Sequence, residues 1–165
     1  MRFIRLLLIS FIFLFLLVTG ISLFIPSHVR ISKAINLKAD KDTVMSHIGD
    51  PVKWAGWYPG LDSARLFYEN GIMKGYILDR QSTAYIVLTG KTENEVTAEF
   101  VGPQLNPVIN GWKLVNSRDS LTLQWYMDFH LRWYPWEKFA SLLLEKSYGT
   151  KMEQGLAGLK QQVEK

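Results

Sequence analysis

Asp128 and His130 are the residues whose types and spacing best fit acid–base chemistry. Two positions apart on a strand, their side chains share one face, with Cβ atoms about 6–7 Å apart. His130 could then act as a general base oriented by Asp128, with Tyr126 and Arg132 beside them. The alternative is that this polar face is exposed to solvent. We favour the alternative, because the opposite face of the strand is uniformly apolar and has to cover a core.

The sequence contains no other recognisable catalytic or metal-binding motif. His28, His47 and His130 include no pair at a metal-ligand spacing. There is no nucleophile elbow around a serine and no glycine-rich phosphate loop. The absence of cysteine excludes disulfides, thiolate metal sites and a cysteine nucleophile. We therefore predict no metal and no cofactor, and the pattern favours a binding protein over an enzyme.

The acid–base pair lies in the clearest strand of the chain. From Leu121 to Trp133 every odd position is apolar, and the even positions are mostly polar, which is typical of an antiparallel strand with one wet face. Asn70-Gly71 predicts a two-residue hairpin turn. Similar patterns and turn residues predict strands at about 29–37, 63–69, 72–79, 82–89, 95–101, 109–116 and 119–133, with a turn at 116–119.

Helical patterns lie on both sides of this strand-rich stretch. Asp50 before Pro51 is suited to cap a short helix. Thr150 and Glu153 resemble a capping box that would begin the last helix, after a separate helix over 136–146. The last helix carries one apolar stripe at spacings of four, three and four: Met152, Leu156, Leu159 and Val163. This order predicts an α+β fold in which a curved antiparallel sheet wraps around the last helix.

The first 26 residues form a separate apolar segment. Leu6 to Ile25 is a run of 20 residues without a charge, and a helix of that length is about 30 Å long, as thick as the hydrocarbon layer of a membrane. We predict a transmembrane anchor at 1–26 and one domain at 27–165. A cleaved signal peptide is the alternative. The short basic tail with Arg2 and Arg5 predicts a single-pass protein with its N-terminus in the cytoplasm and its domain outside.

Charge outside this segment is nearly balanced. Without Arg2 and Arg5, the 19 Lys and Arg of the chain leave 17 against 15 Asp and Glu. A nucleic-acid-binding protein would carry a clustered basic face, so we predict no nucleic-acid partner. With 48% hydrophobic residues, the 165-residue chain is long enough for one packed core and too short for a multidomain enzyme.

Two signatures carry a resemblance to a known superfamily. The N-terminal one is Ala39-Asp40-Lys41-Asp42-Thr43-Val44, followed by Asp50-Pro51-x-x-Trp54-x-x-Trp57-x-Pro59. The C-terminal one is Gly149-x-x-Met152-Glu153-x-Gly155-Leu156-x-x-Leu159-Lys160-x-x-Val163-Glu164. With this order of elements, residues 29–165 resemble the START-like (SRPBCC) superfamily, in particular its polyketide cyclase/dehydrase-like branch.

The resemblance implies a helix-grip fold with an apolar cavity between the sheet and the C-terminal helix. It implies binding of a hydrophobic small molecule or lipid. A polyketide cyclase/dehydratase-like enzyme and a ligand-free structural or interaction domain are the alternatives, because fold alone does not choose among them. The residues expected to line such a cavity are Trp57, Phe100, Trp112, Trp125, Met127, Phe129, Met152 and Leu156.

Overall fold

The computed structural model describes residues 2–103, 106–117 and 120–165. One long helix, α1 (Arg2–Ser22), precedes the domain. The domain begins with β1 (His28–Leu37), α2 (Lys41–Ile48) and α3 (Pro51–Trp54). The strands that follow are β2 (Arg65–Glu69), β3 (Ile72–Ile77), β4 (Tyr85–Lys91), β5 (Glu95–Val101), β6 (Val108–Ser117) and β7 (Ser120–His130). Two helices end the chain, α4 (Pro135–Ser141) and α5 (Leu144–Val163).

The strands form one 7-stranded antiparallel sheet in the order β1-β7-β6-β5-β4-β3-β2. The first strand therefore lies beside the last one, and Ile31 of β1 is opposite Met127 of β7. Register shifts occur after Phe67 in β2 and after Leu88 in β4. Such irregularities bend a strand and increase its twist. The sheet is curved, and α5 packs against it.

The inner face of the sheet follows the alternation of the sequence, although Tyr126 and Asp128 on the opposite face of β7 are buried as well. Leu121, Leu123, Trp125, Met127 and Phe129 of β7 are all buried on the inner face of the sheet. The apolar stripe of α5 is buried as well and packs into the same hydrophobic core. Since α1 contributes no residue to this core, residues 27–165 contain all of it. This arrangement confirms the predicted α+β helix-grip architecture.

Two local features explain turns and caps that the sequence predicted. The Asp50 carboxylate accepts a hydrogen bond from the Val52 backbone N–H at 3.0 Å and so caps α3. Asn70 and Gly71 have φ values of 51° and 78°, as a type I′ hairpin turn requires at both central positions. The predicted turn at 116–119 includes Arg118 and Asp119, which lie outside the described residues.

Two predicted boundaries are wrong. α5 begins at Leu144 and runs without a break through Gly149, so Thr150 is inside the helix and caps nothing. A Cβ atom at Gly149 would lie 3.0 Å from Oε1 of Glu145 and 3.1 Å from Cε of Lys33 on β1, both in flexible side chains. β7 ends at His130, where its partner β1 begins, so Trp133 lies beyond the strand and is exposed.

Candidate functional site

A cavity of about 240 Å³ lies between the inner face of the sheet and α5. Three parts of the chain form its wall. The loop after α3 contributes Tyr58, Pro59 and Gly60, the sheet side contributes Leu78, Phe100, Trp125 and Met127, and α5 contributes Tyr148, Lys151 and Met152. Most of this surface is apolar, so the cavity is suited to an apolar molecule.

Three polar groups interrupt the apolar wall. Tyr58 and Tyr148 present phenol rings, and burial raises the pKa of each phenol above its ordinary value. Both hydroxyls therefore stay protonated at neutral pH and can donate a hydrogen bond. Lys151 is the one charged residue among the described residues that line the cavity. It is exposed, so it marks a place where the cavity meets water.

The structure divides the expected lining residues into two groups. Phe100, Trp125, Met127 and Met152 line the cavity. The other four are outside the described lining, and all of them are buried in the packed core: Trp57, Trp112, Phe129 and Leu156. The alternation of apolar residues identifies the inner face of the sheet. It does not show which side chains of that face are covered by other side chains and which are open to the cavity.

A cluster of aromatic rings supports one side of the cavity. Trp125 lies 5.6 Å from Trp112, 6.1 Å from Trp57 and 5.1 Å from Tyr58 between ring centroids. The Trp125 indole N–H donates a hydrogen bond of 3.2 Å to Oδ1 of Asn110, which is fully buried. These contacts fix the plane of the Trp125 ring, and with it the shape of the cavity wall.

Asn110 is a site residue that the sequence analysis missed. It lies on β6 among inner-facing apolar neighbours, and its amide nitrogen has no hydrogen-bond partner among the described residues. The indole N–H groups of Trp57 and Trp112 are buried in the same way. A polar residue within the apolar alternation Val108, Asn110, Trp112, Leu114 was the signal that could have identified it.

Asp128 and His130 lie on the outer face of the sheet, away from the cavity. Asp128 is only 5% exposed and binds the Arg30 guanidinium through two hydrogen bonds of 2.6 Å. This pairing lowers the pKa of the Asp128 carboxyl below its ordinary value. His28 lies 3.3 Å from Asp128 and stacks on His130, with ring centroids 4.7 Å apart. The expectation that this polar face is exposed to solvent is therefore wrong for Asp128, because Arg30 and His28 of β1 cover its carboxylate.

Tyr126 belongs to the same outer cluster. Its hydroxyl donates a 2.8 Å hydrogen bond to Glu95, and the Arg30 guanidinium lies 4.3 Å from its ring centroid. Burial, together with the bond to Glu95, raises the pKa of Tyr126 to about 12. Gly111 on the neighbouring strand leaves the space that this ring occupies, since a Cβ atom there would clash with it. The three residues considered for acid–base catalysis therefore do not face the cavity.

Within residues 2–103, 106–117 and 120–165, no group of three His, Asp or Glu side chains is arranged to hold a metal ion. α1 is long and apolar enough to cross a membrane, and a signal sequence near the N-terminus would pass the same test. Its mean hydropathy over 18 residues is 2.6, and none of that window is buried.

Solved structures with similar folds are numerous, although no protein-family model and no curated protein matches the sequence. The di-domain ARO/CYC protein StfQ from the steffimycin biosynthetic pathway superposes with a TM-score of 0.64 at 12% identity, over 83% of this chain and 51% of that one. A START superfamily protein from Mycobacterium smegmatis gives 0.61 at 19%, over 82% and 97%. A protein from Thermobifida fusca gives 0.63 at 14%, over 81% and 92%.

These similarities confirm the predicted START-like, polyketide cyclase-like fold. The chain spans about half the length of the di-domain ARO/CYC proteins, 51% of StfQ and 51% of BexL. Identities of this size show a common fold and do not by themselves transfer a function.

Proposed function

We propose that this chain, whose fold is that of START-like and polyketide cyclase-type domains, binds a hydrophobic small molecule or lipid in the cavity between its sheet and α5. The observation that supports this function is the cavity of about 240 Å³ with an apolar wall. Ligand pockets for small molecules are concave, mainly apolar and supplied with a few polar groups that orient the ligand. Phe100, Trp125, Met127 and Met152 would contact its apolar part.

The polar groups of the wall indicate an amphipathic ligand. Tyr58 and Tyr148 can donate hydrogen bonds to an oxygen inside the cavity, and Lys151 carries a positive charge where the cavity meets water. A volume of about 240 Å³ is below the range of about 300–1,000 Å³ that is usual for ligand pockets. A long apolar chain would therefore extend beyond the cavity, and an acidic end group would pair with Lys151. A fatty acid or another anionic amphiphile fits this pattern.

We also propose that α1 anchors the domain to a membrane and that the cavity takes its ligand from there. Met127 of the cavity wall pairs with Ile31, which is four residues after Ser27. At a strand rise of about 3.3 Å per residue, this part of the wall lies about 13 Å along the sheet from the end of the apolar segment. The cavity is thus in the half of the domain that is nearer to α1, which favours a ligand from the bilayer.

The two alternative functions have weaker support. A cyclase or dehydratase would need an acid and a base at the cavity, but the described lining of the 240 Å³ cavity holds no carboxylate or imidazole. His130 and Glu137 line a separate cavity of only about 90 Å³. A ligand-free structural domain would need a filled core, and the cavity argues against that.

Two matched variants test the binding function. Leu78→Trp puts a larger side chain into the cavity wall, whereas Leu88→Trp makes the same change at another half-buried leucine outside the lining. We expect a fluorescent fatty-acid probe to bind the unmodified protein and L88W but not L78W. Equal binding by all three proteins would place the probe elsewhere, and no binding by any of them would contradict the proposed function.

A further inference from the structure

An apolar surface surrounds α4 at the end of the domain where α1 leaves it. We call it the α4 surface and define it by five exposed residues: Trp133, Trp136, Phe139, Leu142 and Leu143. The side chains of Trp136 and Leu143 are 62% and 61% exposed. Five large apolar side chains within eleven residues form a patch of the kind that marks an interaction site.

The α4 surface is attached to the end of α1 by a buried lysine. Lys138 is only 4% exposed, and its ammonium donates hydrogen bonds of 2.7 Å to the Ile25 carbonyl and to the Ser27 hydroxyl. α1 and α4 also pack against each other. Leu23 and Phe24 follow α1 directly and are exposed, so the apolar surface of α1 continues into the α4 surface.

The aromatic residues of this surface are held in place by one another. Tyr134 stacks on Trp136 with ring centroids 4.7 Å apart and contacts Trp133 at 5.0 Å. Arg132 lies over the Tyr134 ring at 5.2 Å and forms an ion pair with Glu137. The two tryptophans are therefore presented to the outside in a fixed arrangement, rather than on a loose loop.

We propose that the α4 surface lies in the interface of the bilayer that α1 crosses. This inference rests on the proposed membrane crossing of α1. Trp side chains suit this layer, because their rings are apolar and their N–H groups can bond to headgroups or water. Lys138 holds α4 against residues 25–27, at the end of the apolar segment, so α4 is at the depth where the hydrocarbon layer ends. Contact of the α4 surface with the bilayer, in addition to the crossing by α1, would fix the orientation of the domain on the membrane.

The lack of cysteine makes a direct test simple, because every introduced cysteine is the only labelling site. The 165-residue chain would be reconstituted in nanodiscs of phosphatidylcholine and phosphatidylglycerol. Single nitroxide labels would be placed with Trp136→Cys and Leu143→Cys in the α4 surface and with Leu14→Cys in α1. The matched controls are Val52→Cys on α3 and Ile72→Cys on β3, both at positions that are 63% exposed and outside the α4 surface.

Collision rates with oxygen and with a water-soluble nickel complex report the depth of each label. We expect the labels at Trp136 and Leu143 to lie about 5–10 Å into the headgroup and acyl boundary, as interfacial helices do. The label at Leu14 should be deeper, and those at Val52 and Ile72 should be fully accessible to nickel.

The outcomes separate this inference from the proposed anchor. A deep label at Leu14 with water-accessible labels at Trp136 and Leu143 would overturn the interfacial position of α4 and leave the anchor intact. It would indicate a protein partner or a second copy on this surface. Water-accessible labels at all five positions would contradict both proposals. Since all of the α4 and control positions are exposed, the substitutions remove no core packing.

Discussion

Gly155 of α5 lies directly against the ring of Trp125 on β7, so closely that a Cβ atom would be 2.6 Å from Cζ3 of the indole. The same atom would be 2.9 Å from the Pro59 ring. Trp125 and Pro59 both line the cavity. The missing side chain of Gly155 thus sets how closely α5 approaches the sheet beside the cavity.

We therefore expect Gly155→Ala to destabilise the domain, although alanine is the better helix former. Overpacking a core costs about 1–3 kcal/mol. Gly158→Ala is the matched control in the same helix, since a Cβ atom there would make ordinary contacts of 3.5 Å or more. It should be neutral or stabilise the domain by up to about 1 kcal/mol. Urea unfolding of residues 27–165, followed by tryptophan fluorescence, measures the free energy of unfolding of both variants. Equal changes in the two variants would contradict the close contact at Gly155.

The ion pair of Asp128 with Arg30 predicts a dependence of stability on pH. Because the folded-state pKa of Asp128 is below its ordinary value, the pair contributes stability above about pH 3.9, and this contribution is lost as pH falls through the folded pKa. Asp128→Asn should lower the free energy of unfolding at pH 7 by about 1–2 kcal/mol, since Arg30 is half exposed.

The same substitution should have a smaller effect in acid. Unfolding curves of the two proteins should converge as the pH falls below about 4. Asp62→Asn, at an exposed position, is the control and should change stability little at any pH. A constant difference between D128N and the unmodified protein from pH 7 to pH 2 would show that the ion pair is not its cause.

The position of Lys151 predicts selectivity for an anionic end group. Lys151→Gln should weaken binding of a long-chain fatty acid about two- to fivefold, as expected for loss of an exposed ion pair worth up to about 1 kcal/mol. Binding of the matching fatty alcohol should not change. Lys146→Gln is the control on α5, because Lys146 is exposed and outside the described lining. Titration calorimetry with both ligands measures the difference, and equal losses for acid and alcohol would exclude a charge interaction.

The main elements of the fold were predictable because the alternation of β7 is long. Apolar residues at odd positions placed Trp125 and Met127 on the inner face and Asp128 on the opposite face, although Asp128 is buried there as well. The Asp50 cap and the Asn70-Gly71 turn were predictable for a different reason, because the local chemistry of these residues determines them. The capping box at Thr150 was a wrong prediction, because α5 begins at Leu144 and runs through Thr150 without a break.

The details of the site were less predictable, because they depend on contacts between distant parts of the chain. Trp57 and Trp125 are both buried aromatic residues, yet only Trp125 lines the cavity. Tyr58 lines the cavity because of the path of the loop after α3, and Lys151 lines it because of the rotation of α5 about its axis. No sequence pattern predicts either the loop path or the helix rotation. Arg30, which forms the ion pair with Asp128, is 98 residues away in the sequence. The pairing of β1 with β7 brings the two residues together.

The most direct test of the central claim is native mass spectrometry, with lipid extraction, of residues 27–165 purified from the cells that produce them. We predict an apolar molecule bound at one per domain and absent from the L78W variant, because that side chain would fill the cavity. A bound mass retained by L88W would confirm that the substitution at Leu78 acts on the site. A mass equal to that of the domain alone, together with no binding of fatty-acid or sterol probes, would contradict the proposed binding function.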